Sequence, residues 1–306
     1  MALTFGILPG HGESGDWLGT AELAEALGYD SVWVGDHLLW YTPSPDPAVV
    51  LGAIAARTNR VRMGTAVMLA ALRPPVVMAK QAVTLDHLSG GRFVLGVGAG
   101  GENPLEFENA GVDVHERGGR LDETLQLLRL LWTQPRVDFA GRYYRLREAR
   151  FDLPPLTPGG PPIWVGGRAP AALRRAGRFG DGWLAFVVTP ERFRDSWQTV
   201  QEHARAAGRD TEALTPALQL WCQFDADRDA ARAIIAPAIE AMYRVPYARF
   251  ERYCVVGNTE DWLRGLGGYV EAGVRHFNLV FAGGDVATQL VQVADEVLPR
   301  LRDRSS

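Results

Sequence analysis

The stretch Arg92-Phe-Val-Leu-Gly-Val-Gly-Ala-Gly-Gly-Glu102 decides how the rest of the chain is laid out. Phe93 to Val97 reads as a buried strand that runs into a glycine-rich turn. Gly96, Gly98 and Gly101 spell the G-x-G-x-x-G of a dinucleotide-binding turn, but that fingerprint needs a helix opening directly from its third glycine. Here Glu102-Asn103-Pro104 and a polar loop follow, and the next periodic helix is expected only near Arg117. The stretch therefore reads as a barrel strand whose exit loop passes close to something flat.

Working outward, strand and helix signals alternate on both sides. Thr4–Leu8, Ser31–Gly35, Val61–Val67, Ile163–Val165, Gly182–Val187, Leu214–Phe224 and His276–Phe281 are short apolar runs of the kind found in a parallel sheet covered by helices. Between them lie amphipathic segments with helix-start and helix-stop residues. Asp16, Thr189, Thr259 and Asp285 are expected N-caps, and Pro74-Pro75 and Pro170 sit where proline opens a helix. Leu121, Leu125, Leu128 and Trp132 form one helical stripe, ended by Pro135. Two stretches break the rhythm. Residues 135–160 look like a hairpin and a proline-glycine loop, and residues 225–258 like extra helix interrupted by Pro237 and Pro246. The fold class is α/β, a (β/α)8 TIM barrel of about 250 residues with insertions after helix 4 and strand 7. An open doubly wound sheet is the alternative.

Composition narrows the function. The 306 residues are 47% hydrophobic and 22% charged, with a net charge of −4, which fits a globular protein with no pull toward nucleic acid or an anionic membrane. The two cysteines, Cys222 and Cys254, suggest neither a disulfide framework nor a metal site and fit a reducing cytoplasm. No signal peptide and no membrane-spanning run is recognised. The six histidines form no H-x-H or H-E-x-x-H, so no metal is expected.

Reactive residues of such a barrel stand at the C-terminal ends of its strands. There the chain offers Pro9–His11, Asp36-His37, Ala66–Met68, Gly98–Glu102, Gly166–Arg168, Phe186-Val187, Gln223–Asp225 and Phe281–Gly284. Glycine and apolar side chains dominate, which suits a flat, largely apolar ligand. Gly166-Gly167-Arg168 before a helix at Pro170 is an anion site, because free N–H groups and the helix dipole favour phosphate. A plain strand-to-helix turn with a surface arginine is the other reading. His37 is the acid/base candidate, since an imidazole exchanges protons near neutral pH; equally it is a polar residue under a loop. Asp36, its chain neighbour, would point the other way on a continuing strand. Glu102 either handles a proton or is a solvated loop residue. Arg117, Arg120, Asp122 and Glu123 read as a charge cluster on a solvated helix start. Trp40, Trp221, His11 and Tyr143 are candidates for the substrate side.

The order Ser31-Val-Trp-Val-Gly-Asp36-His37-Leu-Leu-Trp40, Gly64-Thr-Ala-Val67, Leu85-Asp-His-Leu-Ser-Gly-Gly-Arg92, Gly96-Val-Gly-Ala-Gly100, Pro162-Ile-Trp-Val-Gly-Gly167 and Gly180-Asp-Gly-Trp183 resembles the bacterial luciferase-like monooxygenase superfamily. Within it the chain is most similar to the deazaflavin-dependent (coenzyme F420) oxidoreductases, over one domain spanning residues 1–306. The resemblance implies a TIM barrel, a homodimer, and hydride exchange between coenzyme F420 and a small organic substrate. It places Asp36 beside the flavin ring, His37 at the substrate proton, and Trp40 in the active site. Ala66-Val67 falls where the family has a non-prolyl cis peptide behind the ring, and Gly98, Ala99, Gly100 and Gly101 where the turn passes the ribityl chain. Gly166, Gly167 and Arg168 match the phosphate site, and Glu102 stands one position from the family's acidic residue. The rivals are an FMN-dependent monooxygenase served by a separate reductase, a flavin-binding protein without turnover, and a glycosidase using Glu102 and Asp225.

Overall fold

The computed structural model describes residues 2–9 and 15–305. His11 lies outside the described residues. Eight parallel strands form the frame: β1 Thr4–Leu8, β2 Ser31–Val34, β3 Arg62–Thr65, β4 Phe93–Gly98, β5 Ile163–Gly166, β6 Gly182–Phe186, β7 Thr215–Phe224 and β8 His276–Phe281. Each pairs with the next in chain order. β8 then pairs with β1 from Thr4↔His276 to Leu8↔Val280, so the sheet closes and the open-sheet alternative falls.

The covering helices are α1 Trp17–Ala26, α2 Pro47–Arg57, α3 Pro75–Leu88, α4 Arg117–Thr133, α5 Pro170–Phe179, α6 Pro190–Ala206, α7 Thr259–Glu271 and α8 Val286–Glu296. Their starts follow from sequence: Asp16, Asp46, Thr189 and Asp285 accept first-turn N–H groups through their side chains. One cap moves by a residue. Asn258, not Thr259, caps α7, because its carboxamide accepts from Glu260 and Asp261 while Asp261 answers back to the Asn258 N–H, a capping box. The α4 stripe Leu121, Leu125, Leu128 and Trp132 is buried as its spacing demands. The first insertion is a hairpin, Val137–Ala140 with Arg145–Ala149; the second is a helix, Arg228–Tyr243, carrying Pro237 inside it. Among the described residues no helix is long and apolar enough to cross a membrane.

The barrel interior is filled by large rings facing small residues, the close packing that a barrel core requires. Trp33 and Trp164 stack with centroids 4.8 Å apart. A Cβ on Gly64 would lie 2.4 Å from Trp33, and one on Gly182 2.7 Å from Trp164, so these neighbours must be glycine. His276 packs on both tryptophans and shares hydrogen bonds with Thr4 Oγ1 and Asn278 Oδ1, each 2.8 Å away.

At the opposite end of the strands a buried ion pair ties two exit loops together. Asp36, just past β2, receives both Nη groups of Arg73 (Nη2 to Oδ1 2.9 Å) and the Leu69 N–H at 2.7 Å. Burial pushes the Asp36 carboxyl above its ordinary range, while Arg73 pulls it down. The segment between β3 and Arg73 is thereby fixed under β2, and the Ala66–Val67 peptide within it is cis, as the resemblance implies.

Arg73→Ala is expected to cost about 3–5 kcal/mol in urea unfolding, because it strands a buried carboxyl. Removing Asp36 as well should return part of that loss, and an additive double variant would show that the pair does not act as a unit. Burial also pushes the His276 imidazole down to about 4, against an ordinary value of 6.5. The unfolded chain then takes up this proton first as pH falls. The contribution of the neutral ring is whole above pH 6.5 and is lost progressively down to pH 4, a change of about 3 kcal/mol. Between pH 7 and pH 4.5, denaturant titrations should show wild type losing about 2.5 kcal/mol more than His276→Gln.

Candidate active site

The strand exits enclose a cavity of about 520 Å³. It gathers Asp36, His37 and Trp40 after β2, Ala66 and Val67 after β3, Gly98, Ala99, Gly100 and Glu102 after β4, and Gly166, Gly167 and Arg168 after β5. Those twelve positions were nominated from sequence. Gly101 was nominated too, but it turns outward, and a Cβ there would meet the Arg117 Nε at 2.6 Å. Trp221 is buried behind the cavity in the apolar cluster that holds Met242, and its indole N–H donates to the Tyr243 hydroxyl at 3.1 Å. Tyr143 sits over Gly119 and between Arg120 and Arg142, away from the cavity. Asp225 does not line it either, so the carboxylate pair of a glycosidase is not assembled.

The floor is shaped by glycine. A Cβ on Gly98 would lie 2.6 Å from Val67 Cγ2, and one on Gly166 2.9 Å from Val67 Cγ1. Val67 is thus wedged between two bare backbones at the exits of β4 and β5. Only hydrogen at both positions leaves the surface above it flat.

His37 takes a partner that sequence reasoning missed. Its Nδ1 is 3.3 Å from both oxygens of Glu106, whose side chain is 1% exposed. Glu106 also accepts the Leu38 N–H at 2.7 Å and the Leu39 N–H at 3.2 Å. Trp40 stacks on the imidazole with centroids 3.8 Å apart and donates its indole N–H to Met242 Sδ at 2.9 Å. The ring is therefore clamped on one nitrogen and one face, leaving Nε2 for a ligand. Glu106 belongs to a short helix, Pro104–Asn109, where a polar loop was expected. Its signal was present: Asn103 as N-cap, Pro104 in the first turn and Glu106 at the third helical position make a helix start. Asn103 further pins the loop through Nδ2 to the Leu39 carbonyl at 2.7 Å. Asp36 and His37 part company: Asp36 goes to Arg73, His37 to Glu106.

The far wall is polar. No side chain caps the start of α5, where Ala169 holds the cap position. The turn before it needs glycine, since Gly167 has φ +119°. Arg168 is exposed, with its guanidinium 3.5 Å from the Phe186 carbonyl. Amides of an uncapped helix start, a glycine turn and a loosely held arginine are what an anion requires. The charge cluster placed on a solvated face is more engaged than its sequence suggested. Arg117 lines the cavity, Asp122 holds Arg175 through Nε at 2.7 Å, and Glu123 accepts the N–H groups of Arg142, Tyr143 and Tyr144 across the hairpin.

Comparison with known proteins agrees with this architecture. An F420-dependent glucose-6-phosphate dehydrogenase of Nakamurella multipartita is 32% identical over 96% of each chain, and one of Beutenbergia cavernae 34% over 94% of each. The enzyme of that name from Mycobacterium tuberculosis is 31% identical over 92% of each chain. A solved monooxygenase from Streptomyces bottropensis is 25% identical with a TM-score of 0.86, covering 98% of this chain and all of its own. An F420-dependent secondary alcohol dehydrogenase, solved with an F420-acetone adduct, shares the fold at a TM-score of 0.87 and 23% identity, over 97% of this chain and 98% of its own. Residues 7–253 match the luciferase-like monooxygenase family, and the chain belongs to it.

Proposed function

We propose that the chain is an F420-dependent oxidoreductase that moves a hydride between the deazaflavin and a carbon of a small organic substrate. The observation that carries this reading is the flat floor of Val67 between Gly98 and Gly166, adjoining the uncapped start of α5. A planar ring fits the first and a phosphate the second. The identity to F420-dependent relatives supports the choice of cofactor. When bound, the deazaflavin supplies two-electron hydride chemistry, since carbon replaces nitrogen at its ring position 5.

The chain's own residues do the remainder. Ala66 and Val67 lie behind the ring, Gly98, Ala99 and Gly100 pass the ribityl chain, and Gly166, Gly167, Arg168 and the α5 amides hold the phosphate. Asp36 holds the floor in place through Arg73 and Leu69. His37, turned by Glu106 and backed by Trp40, exchanges the proton of the substrate's heteroatom at Nε2. We place the protein in the cytoplasm, as one domain over residues 1–306 and as a homodimer. A second reading, an FMN-dependent monooxygenase fed by a separate reductase, draws on the likeness to the Streptomyces bottropensis monooxygenase.

Titrating the purified apoprotein with F420 and with FMN should give micromolar binding for F420 and none for FMN; the opposite result selects the second reading. Ala169→Asp separates the phosphate from the ring. The new carboxylate caps α5, raising stability by about 1 kcal/mol, and repels the phosphate, weakening F420 binding about tenfold. His37→Ala should lower kcat by about 10²–10⁴ with little change in F420 affinity. Glu106→Gln should lower it less and also spare the cofactor, because it misorients the imidazole without removing it.

A further inference from the structure

Resting on the reading above, we infer that the substrate is an uncharged, largely apolar alcohol or carbonyl compound and not a sugar phosphate. The cavity has two chemically distinct halves. Its cations stand on the α4–α5 side and are mostly engaged: Arg175 on Asp122 and the Gly118 carbonyl, Arg117 on the Val114 carbonyl at 2.6 Å. Arg168 remains, at the phosphate end. A separate groove of about 510 Å³ contains Arg192 and Arg252, but it shares only Arg168 and Ala169 with the cavity.

The half facing His37 is walled by Leu8, Trp40, Leu184, Phe186 and Met242. The arginines of the cavity, Arg117, Arg168 and Arg175, all come from the loops and helix starts after β4 and β5, and of them Arg168 reaches toward this wall, 3.5 Å from the Phe186 carbonyl. Three donors nearby are taken up inside the protein: the Trp40 indole and the Thr42 hydroxyl both donate to Met242 Sδ, and the Trp221 indole donates to the Tyr243 hydroxyl. The acidic side chains that line it are Glu102 and the Arg73-paired Asp36, with Glu106 buried beneath His37, and none of them suits a phosphate ester. A dianion placed here loses its water against apolar walls and meets carboxylates, a penalty of several kcal/mol that nothing repays. An uncharged substrate meets the opposite situation. Its carbon chain buries against Phe186, Leu184 and Met242, and its one oxygen is left to His37 Nε2. The Gln219 carboxamide lines the cavity, and its buried oxygen has no partner within the protein, but that oxygen is an acceptor and is not a partner of the reacting oxygen.

Bound F420 would supply the two-electron acceptor, so that in the oxidative direction the alcohol's carbinol C–H bond would break with its electron pair leaving as hydride to the oxidised cofactor. The hydroxyl proton passes to His37 Nε2, and the carbon–oxygen double bond forms. The reverse reaction takes hydride from reduced F420 and the proton from His37.

The test uses the F420-loaded protein and two ligand series, unbranched secondary alcohols from propan-2-ol to octan-2-ol and glucose 6-phosphate. Equilibrium binding and turnover are measured for each. Binding of the alcohols should tighten about fourfold per added methylene, with glucose 6-phosphate neither binding at millimolar concentration nor being oxidised. Phe186→Ala should weaken octan-2-ol about tenfold; if that variant misfolds, the chain-length slope of the wild type decides alone. Affinity that ignores chain length, or glucose 6-phosphate preferred over every alcohol, overturns the inference. Failure to load with F420 overturns the proposed function itself and is seen before any substrate is added.

Discussion

The buried pair of Asp36 and Arg73 is the constraint on which the site depends. It joins the exit of β2 to the segment after β3, two loops that the barrel alone leaves free. A buried ion pair of this kind adds little net stability, because desolvation offsets its attraction. Its contribution is position. The Leu69 N–H on Asp36 fixes the chain from Ala66 to Leu69, and with it Val67 between Gly98 and Gly166. The same carboxylate fixes the start of the loop that bears His37 and Trp40. Val67 and His37 are thus located relative to each other by one side chain that lines the cavity with both oxygens already engaged.

A second, weaker clamp works above the first. Glu106 takes two loop N–H groups and the imidazole at once, and Asn103 takes the Leu39 carbonyl. The short helix from Pro104 to Asn109 therefore pins the β2 exit loop from the side of β4. A hydrogen-bonded carboxylate that sets the tautomer and aim of a histidine is a recurring means of preparing it for proton transfer. Neither clamp uses a flexible side chain at the reacting position.

How much of this could be read beforehand depends on the range of the interaction. Local rules carried far: the apolar runs became strands, and Asp16, Thr189 and Asp285 became caps, because a cap is decided within four residues. Asp36 and His37 do part, but β2 ends at Val34, so it is their separate loop contacts and not strand alternation that part them. Their partners lay beyond local rules, since Arg73 is 37 residues from Asp36 and Glu106 is 69 from His37. Such pairings are fixed by barrel register and loop length, to which no local pattern refers. Trp221 shows the same limit from the other side. Its place on β7 was right, and it faces the barrel interior like Gln219 two residues before it, but the Arg228–Tyr243 helix, whose placement no local pattern gives, packs over it.

The two sides of the mouth are built by different parts of the chain, so the proposed reaction and the inferred apolar substrate rest on different residues. The floor, the anion end and His37 come from the exits of β2 to β5 with their short loops, where the sequence motifs are densest. The opposite wall comes from β6, β7 and the inserted helix, which brings Met242 to Trp40 and Tyr243 to Trp221. A barrel tolerates such replacement because each exit loop is held by its own strand, so one wall changes chemistry without disturbing the other. Overall identity to a relative, averaged over both, is silent on the substrate.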